Sequence, residues 1–182
     1  METEVVSVGL GDRSYPIYIG SGLLKQPDLL CKHISSKRVL VVTNTVVAPL
    51  YLHLVLSSLA SKGIEAHSVL LPDGEEHKTM ASVLKVLDSA AGCGLDRRST
   101  LVALGGGVVG DIAGFAASIY QRGIDCVQLP TSLMAMVDSS VGGKTGVNLP
   151  LRGKNLVGTF HQVSPPYSCP YPIHSPHPLP PI

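Results

Sequence analysis

Residues 100–111 read Thr-Leu-Val-Ala-Leu-Gly-Gly-Gly-Val-Val-Gly-Asp, and this stretch decides the fold. Thr100 to Leu104 is a short run, apolar on both faces, as expected of a strand buried between two layers of helices. It runs directly into Gly105-Gly106-Gly107, after which the apolar spacing predicts a helix from about Val108 to Tyr120. Gly105–Gly110 fits G-x-G-x-x-G between a strand and a helix. Glycines there let the backbone approach a pyrophosphate, and the helix start offers free N–H groups and a positive dipole end. The same residues also fit a tight turn with close helix–sheet packing. One part of the dinucleotide fingerprint is missing: the next strand ends in Leu129-Pro130-Thr131, where an acidic residue is expected.

Outward from this stretch the pattern alternates. Val5–Val8 and Tyr15–Ile19, separated by Gly11-Asp12, predict a hairpin. Arg38–Thr43 is a second strand apolar on both faces, followed by a helix from about Val47 to Ser61. Ala66–Leu71 is a strand closed by Pro72-Asp73-Gly74, and Thr79–Ala91 is an amphipathic helix. Cys126–Leu129 is a further strand, and Ser132 to Asp138 begins another helix. Strands and helices in this order predict an α/β fold, a Rossmann-like parallel sheet with flanking helices and a ligand at the carboxyl ends of the strands.

Composition narrows the function. The 182 residues carry a formal net charge of +1, with 15% charged and 45% hydrophobic residues. That balance lacks the basic footprint of nucleic-acid binding, and no apolar run is long enough for a membrane span. The start lacks signal and transit features, which predicts a cytoplasmic location, or a plastid if a plant protein has lost its N-terminus. Cys31, Cys93, Cys126 and Cys169 form no Cys-x-x-Cys pair, so thiolate metal sites are disfavoured. Eight of the 14 prolines fall in residues 163–182, which contain no Asp, Glu, Lys or Arg. The expectation is a domain at 1–162 and an extended, disordered tail at 163–182. Pro178-x-x-Pro181 in that tail raises the alternative of a polyproline-type binding module.

Candidate ligand groups gather at predicted strand ends. Asp73-Gly74-Glu75-Glu76-His77-Lys78 offers a carboxylate for ribose hydroxyls and a lysine for phosphate, or simply a polar turn capping the next helix. Asp138-Ser139-Ser140-Val141-Gly142-Gly143-Lys144-Thr145-Gly146 ends like a P-loop. The required glycine five residues before Gly143 is Asp138, which argues against an NTPase. Lys154-Asn155 adds a second cation and an amide. With Arg122, the lysines point to an anionic substrate.

Pro72–Lys78, Ala103–Asp111, Arg122-Gly123, Gln128–Ser132, Val137–Asn148, Gly153-Lys154-Asn155 and Gly158–Gln162 together resemble, in order and spacing, the N-terminal part of the 3-dehydroquinate synthase family, plant and bacterial type. Leu151-Arg152-Gly153 is one residue longer than the usual turn, and Ser132 stands where many members have Thr. The resemblance implies a lyase of the shikimate pathway, leading to chorismate and aromatic amino acids. Its members cyclise 3-deoxy-D-arabino-heptulosonate 7-phosphate to 3-dehydroquinate with phosphate release, using NAD and a divalent metal, zinc or cobalt. It further implies that Asn44, Asp73, Glu75 and Lys78 contact the adenosine side. Gly106, Gly107, Val108, Gly110 and Asp111 would hold the pyrophosphate and nicotinamide ribose, with Thr131 and Ser132 as further NAD contacts. Asp138, Lys144, Lys154 and Asn155 would face the sugar-phosphate substrate or the nicotinamide, and Arg122 would reach across a family homodimer. The family's metal ligands lie in a following α-helical domain, so no metal ligand is expected in this chain and the fragment is expected to be inactive. Related sugar-phosphate cyclases and glycerol-dehydrogenase-like enzymes are the alternatives. The pattern breaks after Gln162, and Val163-Ser164 is what a splice-donor sequence encodes in frame, so 163–182 is expected to be translated intron.

Overall fold

The runs with no polar face become the centre of a sheet. In the computed structural model, which describes residues 3–11 and 14–161 and the backbone of Tyr167 and Ser168, β3 (Arg38–Asn44) lies between β4 (Glu65–Leu71) and β5 (Thr100–Gly105), all parallel. β6 (Asp125–Pro130) adds to β5 in the same direction. Val39, Leu40, Val41, Val42, Leu101, Val102 and Leu104 are all fully buried, because helices cover both faces.

The order β6-β5-β3-β4 places the helices. The chain steps outward from β3 through α2 (Ala48–Ser61) to β4. It then returns through α3 (Met80–Gly92) to β5, on the other side of β3, and continues through α4 (Gly107–Ile119) to β6. This reversal of direction, under a fixed crossover hand, puts α2 on one face and α3 and α4 on the other. Val39, Val41, Leu104 and Leu129 pack with Val55 and Leu59 of α2 and with α1 (Pro27–Cys31). Leu40, Val42, Leu101 and Cys126 pack with Val83, Val86 and Ile112. α3 begins where Thr79 Oγ1 accepts the Ser82 N–H at 3.3 Å, an N-cap that satisfies one free donor of the first turn.

The predicted hairpin is present, with β1 (Glu4–Val8) antiparallel to β2 (Tyr15–Ile19). A short strand Tyr167–Ser168 (β9, after the two strands named next) lies between β2 and β6, parallel to both, so the sheet has seven strands rather than a purely parallel set. The expected domain boundary, the disordered tail and its proline motif otherwise fall on residues 162–166 and 169–182, outside the described residues. The helix expected from Ser132 is a short π-helical turn at Ala135–Ser139. Residues 144–160, for which the sequence pattern predicted no strand, form an antiparallel hairpin of β7 (Lys144–Leu149) and β8 (Gly153–Phe160) packed on α4. Glycines permit this: a Cβ on Gly146 would meet the Val157 carbonyl oxygen at 2.7 Å, and one on Gly158 would run into the Thr145 carbonyl. No helix among the described residues is long and apolar enough to cross a membrane.

Candidate active site at the carboxyl ends of the strands

The direction of connection reverses between β3 and β5, and at such a point adjacent loops turn away from each other and leave a crevice. Three segments fill its rim: the turn after β4, the start of α4, and the β7–β8 hairpin. A cleft of about 420 Å³ runs along the hairpin, lined by Asp111, Asp138, Ser139, Lys144, Thr145, Asn155 and neighbouring residues.

The glycines of the phosphate-loop pattern divide into two sets. A Cβ on Gly105 would lie 2.6 Å from Cβ of Val109, and one on Gly110 would lie 2.8 Å from Oε1 of Gln128. These two let α4 sit close against β5 and β6. Gly106 and Gly107 instead face hydroxyls, with Ser132 Oγ 3.2 Å and Ser139 Oγ 2.8 Å from their Cβ positions. The packing expectation for the motif therefore holds at Gly105 and Gly110. Gly110 serves packing, and its N–H is spent on the Gly106 carbonyl at 3.0 Å. The Val108 side chain packs against the core, leaving its backbone as the part available to a ligand. Thr131 ties the next turn to the loop by donating its N–H to the Gly105 carbonyl at 2.9 Å. Ser139 Oγ is buried and has no hydrogen-bond partner among the described residues.

The turn after β4 needs Gly74, whose φ of 119° is costly for any residue with a Cβ. It presents Glu75 and Lys78. Asn44, at the end of β3, shapes the neighbouring edge: its Nδ2 donates to Asp73 Oδ1 at 2.5 Å, and its Oδ1 accepts the Val47 N–H at 2.8 Å.

Lys78 is only 5% exposed. Its ammonium forms an ion pair with Asp111 on the first turns of α4 and donates to Asn155 Oδ1 at 2.6 Å. Burial raises the Asp111 carboxyl above its usual range, while the hydrogen bond and charge of Lys78 pull it back down; Glu75 and Asp138 raise it further. A charge pair taken out of water is expensive and holds only when well satisfied. Glu75 Oε1 accepts from Asn148 Nδ2 at 2.8 Å and lies 3.8 Å from Lys154 Nζ. Asn155 sits in the left-handed region at φ 55°.

The structure thus brings together Asn44 with Asp73, and Glu75, Lys78, Asp111, Lys154 and Asn155 in one network. Asp138 and Lys144 line the cleft below it, both with exposed side chains. Arg122 lies outside the cleft of its own chain, in an exposed turn after α4, with a left-handed φ of 70°. Sequence reasoning assigned no role to Asn148, Ser139 or Gln128. Asn148 stood inside a matched segment, but only its placement opposite the β4 turn marks it. Among the described residues no group of three or more His, Cys, Asp and Glu side chains fits a metal ion.

A family model described as 3-dehydroquinate synthase N-terminal matches residues 68–170. The chain is 61% identical over 160 residues to the chloroplastic 3-dehydroquinate synthase of Solanum lycopersicum, covering 87% of this chain and 36% of that protein. It is 57% identical over 159 residues to the 3-dehydroquinate synthase of Methylococcus capsulatus, covering 87% and 44%. It spans less than half the length of either relative. A solved 2-deoxy-scyllo-inosose synthase, complexed with carbaglucose-6-phosphate, NAD+ and Co2+, superposes with a TM-score of 0.80 at 28% identity over 92% of this chain and 44% of that one. The glycine-bounded start of α4, the Glu75–Lys78 turn and the lysine-bearing hairpin all fall within the matched residues, and the chain belongs to the 3-dehydroquinate synthase family.

Proposed function

We propose that this chain is the cofactor-binding part of a 3-dehydroquinate synthase and holds NAD+ beside an anionic sugar phosphate. The observation that carries this reading is the Lys78–Asp111 pair, buried at the start of a glycine-bounded helix and bonded to the hairpin that presents Lys154 and Asn155. Glu75 would accept the adenosine ribose hydroxyls, in place of the acidic residue missing after β6. The α4 start at Gly106 and Gly107 would take the pyrophosphate through backbone N–H groups. Asn44 and Asp73 would form the adenosine edge, and Thr131 and Ser132 the opposite wall. When bound there, NAD+ supplies the acceptor for a hydride from a secondary alcohol and later returns it.

The remaining chemistry is charge placement. Lys144 and Lys154 give charge-assisted hydrogen bonds to carboxylate or phosphate oxygens of the substrate, and Asp138 orients its hydroxyls. Asn155 contributes an amide already aligned by Lys78. The described residues do not form a metal site, so no step is assigned to a metal here. Family membership supports a homodimer in which Arg122 reaches the partner's cleft. The name of the tomato relative supports a chloroplast location for plant members.

Calorimetry with NAD+ tests the reading. Saturable heat accompanied by a rise in melting temperature is expected. No heat and no shift at millimolar NAD+ would reject it. A glycerol-dehydrogenase-like activity would instead show NAD+ reduction with simple polyols and indifference to Lys144→Ala.

A further inference from the structure

Asn148 occupies an irregular position in β7. The ladder between β7 and β8 shifts register between Val147 and Leu149, so Asn148 has no direct cross-strand partner. Its backbone N–H turns away from β8 and donates to the Lys78 carbonyl at 2.9 Å. Its side chain then does two things at once. Nδ2 donates to Glu75 Oε1 at 2.8 Å, and Oδ1 accepts the Asn155 N–H at 2.9 Å. Bulges of this kind re-aim a side chain beside an active site.

Resting on the NAD+ reading above, we propose that Asn148 is the positioning residue that holds the Glu75 carboxylate ready for the adenosine ribose and locks it to the Lys154–Asn155 side of the cleft. The bonds close a ring: Glu75 to Asn148, Asn148 to Asn155, Asn155 to Lys78, and Lys78 back along the chain to Glu75. The asparagine amide supplies both the donor and the acceptor from one short side chain. A carboxylate would face Glu75 as a like charge, and an aliphatic residue would leave both partners unsatisfied. The Asn148 amide and the Lys154 ammonium both meet Glu75 at Oε1. The charged groups near Glu75 are Lys154 from β8, Lys78 from its own turn, and Asp111 of α4, whose carboxyl is raised by burial and further by the Glu75 charge.

The test is calorimetry of the whole chain with NAD+ and with NADP+ as separate probes. A carboxylate held at the ribose hydroxyls favours NAD+ and repels the extra phosphate of NADP+. Asn148→Ala is expected to weaken NAD+ roughly tenfold, the size of one hydrogen bond to a charged group, and to shrink the preference for NAD+ over NADP+. A variant that weakens both dinucleotides equally, or neither, overturns the proposal. Asn148→Asp keeps the shape should the alanine variant fail to fold. It is expected to bind NAD+ poorly at about pH 8 and to recover at about pH 5.5, where one proton shared between the two carboxylates restores a donor. A loss independent of pH overturns the proposal. A wild-type chain that binds neither dinucleotide overturns the cofactor reading and this inference with it, whereas wild-type binding with an unaltered Asn148→Ala variant overturns the inference alone.

Discussion

The two ends of the sheet hold similar materials and use them differently. At the amino ends of β3, β4 and β5 a depression of about 530 Å³ is lined by Lys37, Arg38, Glu65, Asp96, Arg98 and Ser99. The carboxyl-end cleft has about 420 Å³ and its own lysines and carboxylates. At the amino end the charges stay wet and are satisfied locally. Arg38 and Glu65 meet at 3.4 Å with side chains 50% and 57% exposed. Asp96 is held below the usual carboxylate range, first by the Arg98 N–H and then by Ser99, two and three residues further on. At the carboxyl end a buried lysine and a half-buried carboxylate come from different crossovers and are joined by a third element. Charge content therefore does not mark a site. Charges stripped of water and held by segments distant in sequence do.

Removing one member of the buried pair should have the largest effect. Lys78→Met leaves Asp111 buried alone, and urea denaturation is expected to show a loss of about 3–5 kcal/mol; a loss below about 1 kcal/mol would mean that water reaches the pair and the contrast between the ends disappears. Gly158→Ala forces a Cβ against the Thr145 backbone. It should cost about 1–3 kcal/mol by overpacking, while Gly92→Ala, with open space around its Cβ position, should not destabilise the fold. Comparable melting temperatures for the two variants would show that β7 and β8 are not held this close together.

Glu75→Ala should weaken NAD+ binding by about 1–3 kcal/mol while Glu65→Ala leaves it unchanged, which equilibrium titration can compare side by side. A pH series addresses His33, a buried group near the amino end whose Nε2 lies 2.8 Å from Tyr18 Oη. Burial, with a smaller contribution from Lys32, lowers its pKa from 6.5 to about 4. The folded state thus keeps His33 neutral, and stability is lost as pH falls from 6.5 towards 4. His33→Gln should flatten that slope, and an unchanged slope would assign it to other groups. The smallest change in stability is expected for Glu65→Ala, whose pair with Arg38 is exposed and screened by water, read from the same urea curves as Lys78→Met.

Much of the scaffold was legible because its signals are local. Arg38–Thr43 and Thr100–Leu104 lack a polar face, which fits only a strand covered on both sides, and both lie at the sheet centre. Val5–Val8 and Tyr15–Ile19 pair as the alternation predicted. The β7–β8 hairpin was not legible. Gly142, Gly143 and Gly146 read as the end of a P-loop-like segment, yet Gly146, like Gly158, lets strands approach more closely than any Cβ allows. Gly110 likewise fitted a phosphate contact on spacing alone, and only the position of Gln128 reveals its packing role.

The candidate site follows the same division. Residue types and spacing pointed to the Asp73–Lys78 turn and to Lys154-Asn155, because glycine-flanked polar residues after strands are local features of the chain; Glu75 within that turn and Asp111 were singled out only by the family resemblance. Which of them touch was decided by the fold. Lys78 belongs to the crossover leaving β4, Asp111 to the one leaving β5, and Asn155 to β8; they meet because the sheet order reverses beside β3 and leaves all three facing one crevice. Asn148 depends on tertiary structure most of all. Nothing in its immediate sequence distinguishes it from a turn residue; it is marked only because it lies opposite the extra residues of β8, between the Val147–Val157 and Leu149–Gly153 pairs, with its amide on Glu75.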